Sequence, residues 1–158
     1  MYKFKFEIQP ATEYDTELTL FLLSMNLINQ MTGECVNLAK VVLENAEELN
    51  WFVENESAIR NEKCPVISND AFSVATGISN FYDQVDPDNF SDEIDKIYEY
   101  RTSHSIIFAF SGQDLPDMVI AANDSGYEVS CDDESIYKYP VDINSLFSEV
   151  AHSIKELD

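Results

Sequence analysis

The stretch His104–Cys131, HSIIFAFSGQDLPDMVIAANDSGYEVSC, constrains the fold more than any other, because two turn signals cut it into three short runs. Ser105 to Phe110 holds two adjacent isoleucines and two phenylalanines. Ser111-Gly112-Gln113-Asp114 interrupts it, since glycine accepts backbone angles that other residues resist. Pro116 then opens Met118 to Ala122, a position where a missing N–H does no harm. Asn123-Asp124-Ser125-Gly126 is a hairpin signal. Tyr127, Val129 and Cys131 follow at period two, with Glu128, Ser130 and Asp132 on the opposite face. The spacing predicts an α+β fold: a central antiparallel β-meander packed against about three to four helices.

The flanks fill in the helices. Tyr2 to Ile8 alternates aromatic and charged residues, which predicts a half-buried strand ended by Pro10. Residues 16–24 fit either a helix or a strand; Thr16 and Thr19 favour strand, with a loop from Ser24 to Cys35. Asn37 to Asn61 reads as one long helix, with Leu38, Val42, Ala46, Leu49 and Val53 at three- and four-residue steps and Asn37 as N-cap. Trp51 falls at the edge of that stripe, as a core residue or an interface anchor. Asp70 can cap a helix from Ala71 to Asp83 that buries Phe72, Ala75, Ile78, Phe81 and Tyr82. Residues 91–101 fit a short helix capped by Ser91, with Ile94, Ile97 and Tyr98 inward, or a strand. Ile136 to Tyr139 suits a brief edge strand. The last helix, capped by Asp142 or Asn144, turns Leu146, Phe147, Val150, Ile154 and Leu157 inward. No repeat or linker divides the chain, so a single domain of residues 1–158 is expected.

Charge is the outlier. Thirty acids against nine bases give a formal net charge of −21, on a chain whose 45% apolar content is ample for a core. Such an imbalance costs stability by self-repulsion and speeds capture of cationic partners. It argues against nucleic-acid or anionic-membrane binding, which need a basic face. The acids are also uneven. From Cys64 to Asp95 there is no Lys or Arg, but there are Asp70, Asp83, Asp86, Asp88, Asp92, Glu93 and Asp95. From Thr102 to Tyr137 there is again no base, but there are Asp114, Asp117, Asp124, Glu128, Asp132, Asp133 and Glu134. Runs of this kind most often simply solvate a surface. The alternative is a focused negative field with Tyr98, Tyr100 and Tyr127 as aromatic anchors beside it.

Catalytic signatures are missing. His104 and His152 are the only histidines, and His104 precedes an apolar run, where a structural role is expected. No GxSxG, Walker loop, GxGxxG or HExxH occurs. Asp86-x-Asp88 begins like a calcium loop, but Phe90, Ser91 and Ile97 occupy positions where that loop needs a ligand, a glycine and a glutamate. Cys35, Cys64 and Cys131 are too scattered for zinc and odd in number, which fits reduced thiols in the cytoplasm. No signal peptide or membrane span is read. The expectation is a protein that is not an enzyme and takes no cofactor or metal.

Two segments resemble known proteins. NLAKVVLENAEELNWFVENE is similar to the long helix of some small bacterial proteins that begin with a short β-hairpin. YRTSHSIIFAFSGQDLPDMVI followed by YEVSC resembles their second landmark, with Cys131 where a Trp often stands. In size, acidity and absence of catalytic motifs the chain resembles immunity proteins of contact-dependent inhibition and other polymorphic toxin systems. That resemblance implies a cytoplasmic inhibitor of a basic toxin, commonly a nuclease domain, with no nucleic acid or membrane as partner. The contact residues expected are Asp83, Asp86, Asp88, Asp92, Glu93, Asp95, Tyr98, Tyr100, Asp132, Asp133 and Glu134. Two other functions share parts of this reading: a phage-type nucleic-acid mimic against a DNA- or RNA-binding enzyme, and a small-ligand protein or enzyme with a pocket near His104.

Overall fold

A computed structural model describes residues 1–11, 19–65 and 71–158. Among them are six mostly antiparallel strands and four α-helices, an α+β fold. They form two compact units, one of Met1–Glu56, Ala109–Gln113 and Val141–Asp158, the other of Ser57–Phe108 and Asp114–Pro140.

The first unit is built on the hairpin of β1 (Tyr2–Pro10) and β2 (Phe21–Asn29), extended by β3 (Cys35–Leu43). Alternation in β1 buries Phe4 and Phe6 and leaves Lys3, Lys5 and Glu7 exposed. The buried row continues across the strands, Phe6 opposite Met25 and Met25 opposite Ala39. Helix α4 (Ile143–Leu157) packs along β1 and buries Leu146, Phe147 and Val150. Asp142 is its cap, accepting from the Asn144 N–H, which decides between the two candidate caps. The helix also closes the far edge of β1. Tyr2 and Lys3 pair in parallel with Val141 and Asp142, after which the Phe4 N–H donates to Ser145 Oγ (2.9 Å) and the Phe6 N–H to Glu149 Oε2 (2.8 Å). A side-chain pair at i, i+4 thus stands in for a strand.

Two expectations fail here. The loop from Ser24 to Cys35 is strand as far as Asn29. The long helix of Asn37–Asn61 is strand through Leu43, a 3₁₀ turn at Ala46–Leu49, and a true helix, α1, only over Asn50–Asn61. A register shift between Met25 and Asn26 explains the misreading. It breaks the period of two in β3, so Leu38, Ala39, Val41 and Leu43 are all buried, a spacing that imitates a helix. Asn37 caps nothing and donates from Nδ2 to Asn26 Oδ1 (2.8 Å); Asn45 caps the 3₁₀ turn. Val53, expected inside, is 53% exposed. Trp51 is half-buried with its ring edge-on to Phe52, itself fully buried beside Phe6 and Phe110. The Gln113 side chain accepts from the Val42 N–H and donates to the Val42 carbonyl, both at 2.8 Å, blunting the β3 edge there.

In the second unit, β4 (Met118–Asn123), β5 (Gly126–Asp132) and β6 (Ile136–Asp142, whose last two residues belong to the first unit) make an antiparallel meander. The hairpin falls where expected: Asn123 pairs with Gly126, Asn123 Oδ1 accepts from the Ser125 N–H, and Gly126 sits at φ +140°, where a side chain is strained. The meander lies one strand later in the chain than the sequence suggested. Ser105–Phe110 is no strand; Ser105 makes one bridge to Val119 and Ile106–Phe108 is a 3₁₀ turn, because α3 (Ser91–His104) runs right up to it.

Helices α2 (Val74–Gln84) and α3 share a core with β4, formed by Cys64, Ala75, Ile78, Ile97, Tyr100, Val119 and Ala121. Ser73 caps α2 through the Thr76 N–H, whereas Asp70, the expected cap, lies outside the described residues, as do residues 16–18 of the ambiguous segment. Phe72, expected inside, is 58% exposed, and Tyr98 is 52% exposed rather than inward. Glu128 and Ser130 lie on the face of β5 opposite Val129 and Cys131. They are buried and hold the start of α2: the Val74 N–H donates to Glu128 Oε2 (3.1 Å) and the Ala75 N–H to Ser130 Oγ (3.2 Å). No helix among the described residues is long and apolar enough to cross a membrane.

Candidate functional site

All the contact residues expected from sequence belong to the second unit. Asp83, Asp86, Asp88, Asp92, Glu93, Asp95 and Tyr98 are exposed, on the end of α2, the α2–α3 loop and the outer side of α3. Asp133 and Glu134 are exposed in the β5–β6 turn, and Asp132 is half-buried at the end of β5. Because α2 runs along β5, with Val74 at Glu128 and the Ser79 hydroxyl on the Asp132 carbonyl (3.5 Å), the end of α2 bearing Asp83 lies beside this turn. Asp83 is thereby brought towards the acids of the turn. Tyr100 does not join them. It is 4% exposed in the core and stacks on His104 with centroids 3.8 Å apart, so it is no contact residue. Tyr127 is also turned inward, its hydroxyl donating to the Arg60 carbonyl (2.8 Å).

Asp86 has a local duty. Its carboxylate accepts from the Asp88 N–H and from the Asn89 side chain, and its carbonyl accepts from the Asn89 and Phe90 N–H groups. It shapes the loop that displays Asp88 and leads into α3. Asp92 and Glu93 lie in the first turn of α3, where the helix dipole favours negative charge.

A cleft of about 200 Å³ is lined by Ala75, Ile78, Ser79, Arg101, Asp117, Val119, Asp132 and Asp133. Arg101 organises it. Its Nη2 lies 3.0 Å from Asp117 Oδ2, and its guanidinium carbon lies 5.6 Å from the Tyr82 ring centroid and 5.9 Å from that of Phe108. Burial works against its charge, but the Tyr82 hydroxyl and the Asp117 carboxylate outweigh that and push its pKa up. The other Asp117 oxygen accepts from the Ser105 hydroxyl. Tyr98 meets Phe108 edge-on, centroids 5.9 Å apart. Arg101 and Phe108 were not singled out from sequence, Asp117 was only one of an acid run, and Tyr82, expected inside, is 37% exposed. The usable signal was Tyr82, Phe90 and Tyr98 spaced through an acid run, which reads equally well as buried helix faces.

His104 is fully buried, with Nδ1 2.8 Å from the Tyr100 carbonyl and Nε2 3.1 Å from the Ala58 carbonyl. Burial lowers its pKa, against the pull of those two carbonyls. Burial likewise raises the Tyr100, Tyr137 and Cys131 values. These groups fill the interior and line no part of the cleft. Among the described residues no three His, Cys, Asp or Glu side chains converge to hold a metal ion. Exposed acids also occur on the first unit, at Glu7, Glu34, Glu44, Glu47, Glu54, Glu156 and Asp158, with Lys3, Lys5 and Lys40 among them, and the second unit likewise exposes Lys63, Lys96 and Lys138. The chain matches no protein-family model, no curated protein and no solved structure.

Proposed function

We propose that this chain is an acidic α+β binding protein whose second unit captures a basic protein through the surface formed by the α2–α3 loop, the outer side of α3 and the β5–β6 turn. More particularly, it is an immunity-type inhibitor that neutralises a basic toxin domain by stoichiometric binding in the cytoplasm. The observation that supports this reading is that Asp83, Asp88, Asp92, Glu93, Asp95, Asp133 and Glu134 are all exposed on one unit that also exposes Tyr82, Phe90 and Tyr98. Charge of one sign steers encounter, and desolvated aromatics slow escape. The alternative of a pocket near His104 is less favoured, since His104 and Tyr100 are buried and stack on each other.

The test is neutralisation. The chain is co-expressed with basic toxin domains, beginning with any encoded beside its gene, and growth and complex formation are scored. Restored growth with a one-to-one complex supports the proposal; toxicity unchanged with no complex overturns it. Displacement by the chain of several unrelated DNA-binding proteins from DNA would instead favour a nucleic-acid mimic.

A further inference from the structure

We infer that the aromatic strip from Tyr82 to Tyr98 reads arginine: it is the anchor for a guanidinium group on the basic partner. This rests on the proposed function and names what its surface selects. The strip is a ladder of contacts. Tyr82 lies against the Arg101 guanidinium (5.6 Å), Arg101 against Phe108 (5.9 Å), and Phe108 against the edge of Tyr98 (5.9 Å, 85°). One guanidinium is thus already held between rings, with Asp117 fixing its orientation. The outer rungs are open to solvent, Tyr82 at 37% and Tyr98 at 52%. Tyr98 has a carboxylate on its own side of the helix, since Asp95 precedes it by one turn of α3.

An acid cluster alone attracts any cation. Exposed aromatic faces add discrimination, because a planar, weakly hydrated guanidinium stacks on a ring while giving its N–H groups to a carboxylate, and a compact, strongly hydrated ammonium does so less well. Charge complementarity fixes the occupant as an arginine-bearing segment of a basic protein. A second copy of this chain would bring −21 against −21.

The experiment titrates the full-length, isotope-labelled chain at low salt with two blocked peptides, four repeats of Gly-Ser-Arg and four of Gly-Ser-Lys, followed by amide shifts. The arginine peptide should bind about two- to fivefold more tightly, the range an exposed cation–π contact supplies, with shifts centred on residues 82–98. Tyr98→Leu should equalise the peptides. The triple variant Asp83→Lys, Asp88→Lys, Asp95→Lys should weaken both. Equal affinity in the unaltered chain, lost in the triple variant, overturns the arginine assignment while leaving the acidic surface standing. Binding of neither peptide overturns both. Concentration-dependent broadening of the same amides without peptide assigns the strip to self-association and overturns it too.

Discussion

Glu128→Ala should be among the most damaging single changes in the second unit, although nothing in the sequence sets Glu128 apart from other acids. The side chain is 1% exposed. Oε2 accepts from the Val74 N–H at the start of α2 (3.1 Å), Oε1 from Asn123 Nδ2 (3.0 Å), and Lys138 Nζ stands 4.0 Å away. A hydrogen bond to a charged group contributes about 1.5–3 kcal/mol, and truncation strands both donors. Lys138 adds little, being 37% exposed on its side chain. The α2 dipole also loses its anion. Partial access of water to the two donors brings the total to about 3 kcal/mol. With a urea m-value of about 2 kcal/mol/M, the midpoint should fall by about 1.5 M. Ser130→Ala, which loses one neutral bond to the Ala75 N–H, should cost only about 1 kcal/mol. Urea titration by circular dichroism checks both. A Glu128→Ala midpoint within 0.3 M of the parent, or no worse than Ser130→Ala, would refute the anchoring role.

Burial holds the His104 pKa below its ordinary value of 6.5, so the unfolded chain takes up a proton before the folded one. Its contribution is intact above about pH 6.5 and is lost as pH falls towards the folded value. His104→Gln should therefore flatten the decline of stability between pH 7 and pH 5 by up to about 1.4 kcal/mol per unit; parallel curves for parent and variant would count against it. Gly126→Ala should cost about 1–2 kcal/mol, because φ +140° suits no side chain and the space around it is open, so strain is the only effect. A thermal unfolding midpoint unchanged in that variant would contradict the turn assignment.

The sequence was most legible where one local signal sufficed. The Asn123–Gly126 turn and the alternation of β1 needed only neighbouring residues, whereas the cap of the last helix was narrowed only to Asp142 or Asn144. It was least legible where tertiary context reversed a local pattern. The register shift in β2–β3 gave a strand the spacing of a helix. Two sides of β5 were buried because Glu128 and Ser130 were recruited to cap α2. The acidic members of the candidate site were readable as charge runs. Which tyrosines point outward was not, since Tyr98 and Tyr100 sit two residues apart and only the packing of α3 turns one out and the other in. Arg101 was hidden for the same reason: its partners Tyr82, Phe108 and Asp117 come from three other segments.

The association rate of the chain with a basic toxin domain that it neutralises in the co-expression test, measured by stopped flow from low to high salt, tests the central proposal most directly. Asp83, Asp88 and Asp95 are the residues to reverse, since Asp86 shapes its loop and Asp92 and Glu93 support the α3 terminus. The parent rate should fall steeply with salt. Lysine at those three positions should slow low-salt association by about 10- to 100-fold and flatten the salt dependence. A triple variant that folds as the parent does, yet associates at the same rate with the same salt slope, would contradict the proposal.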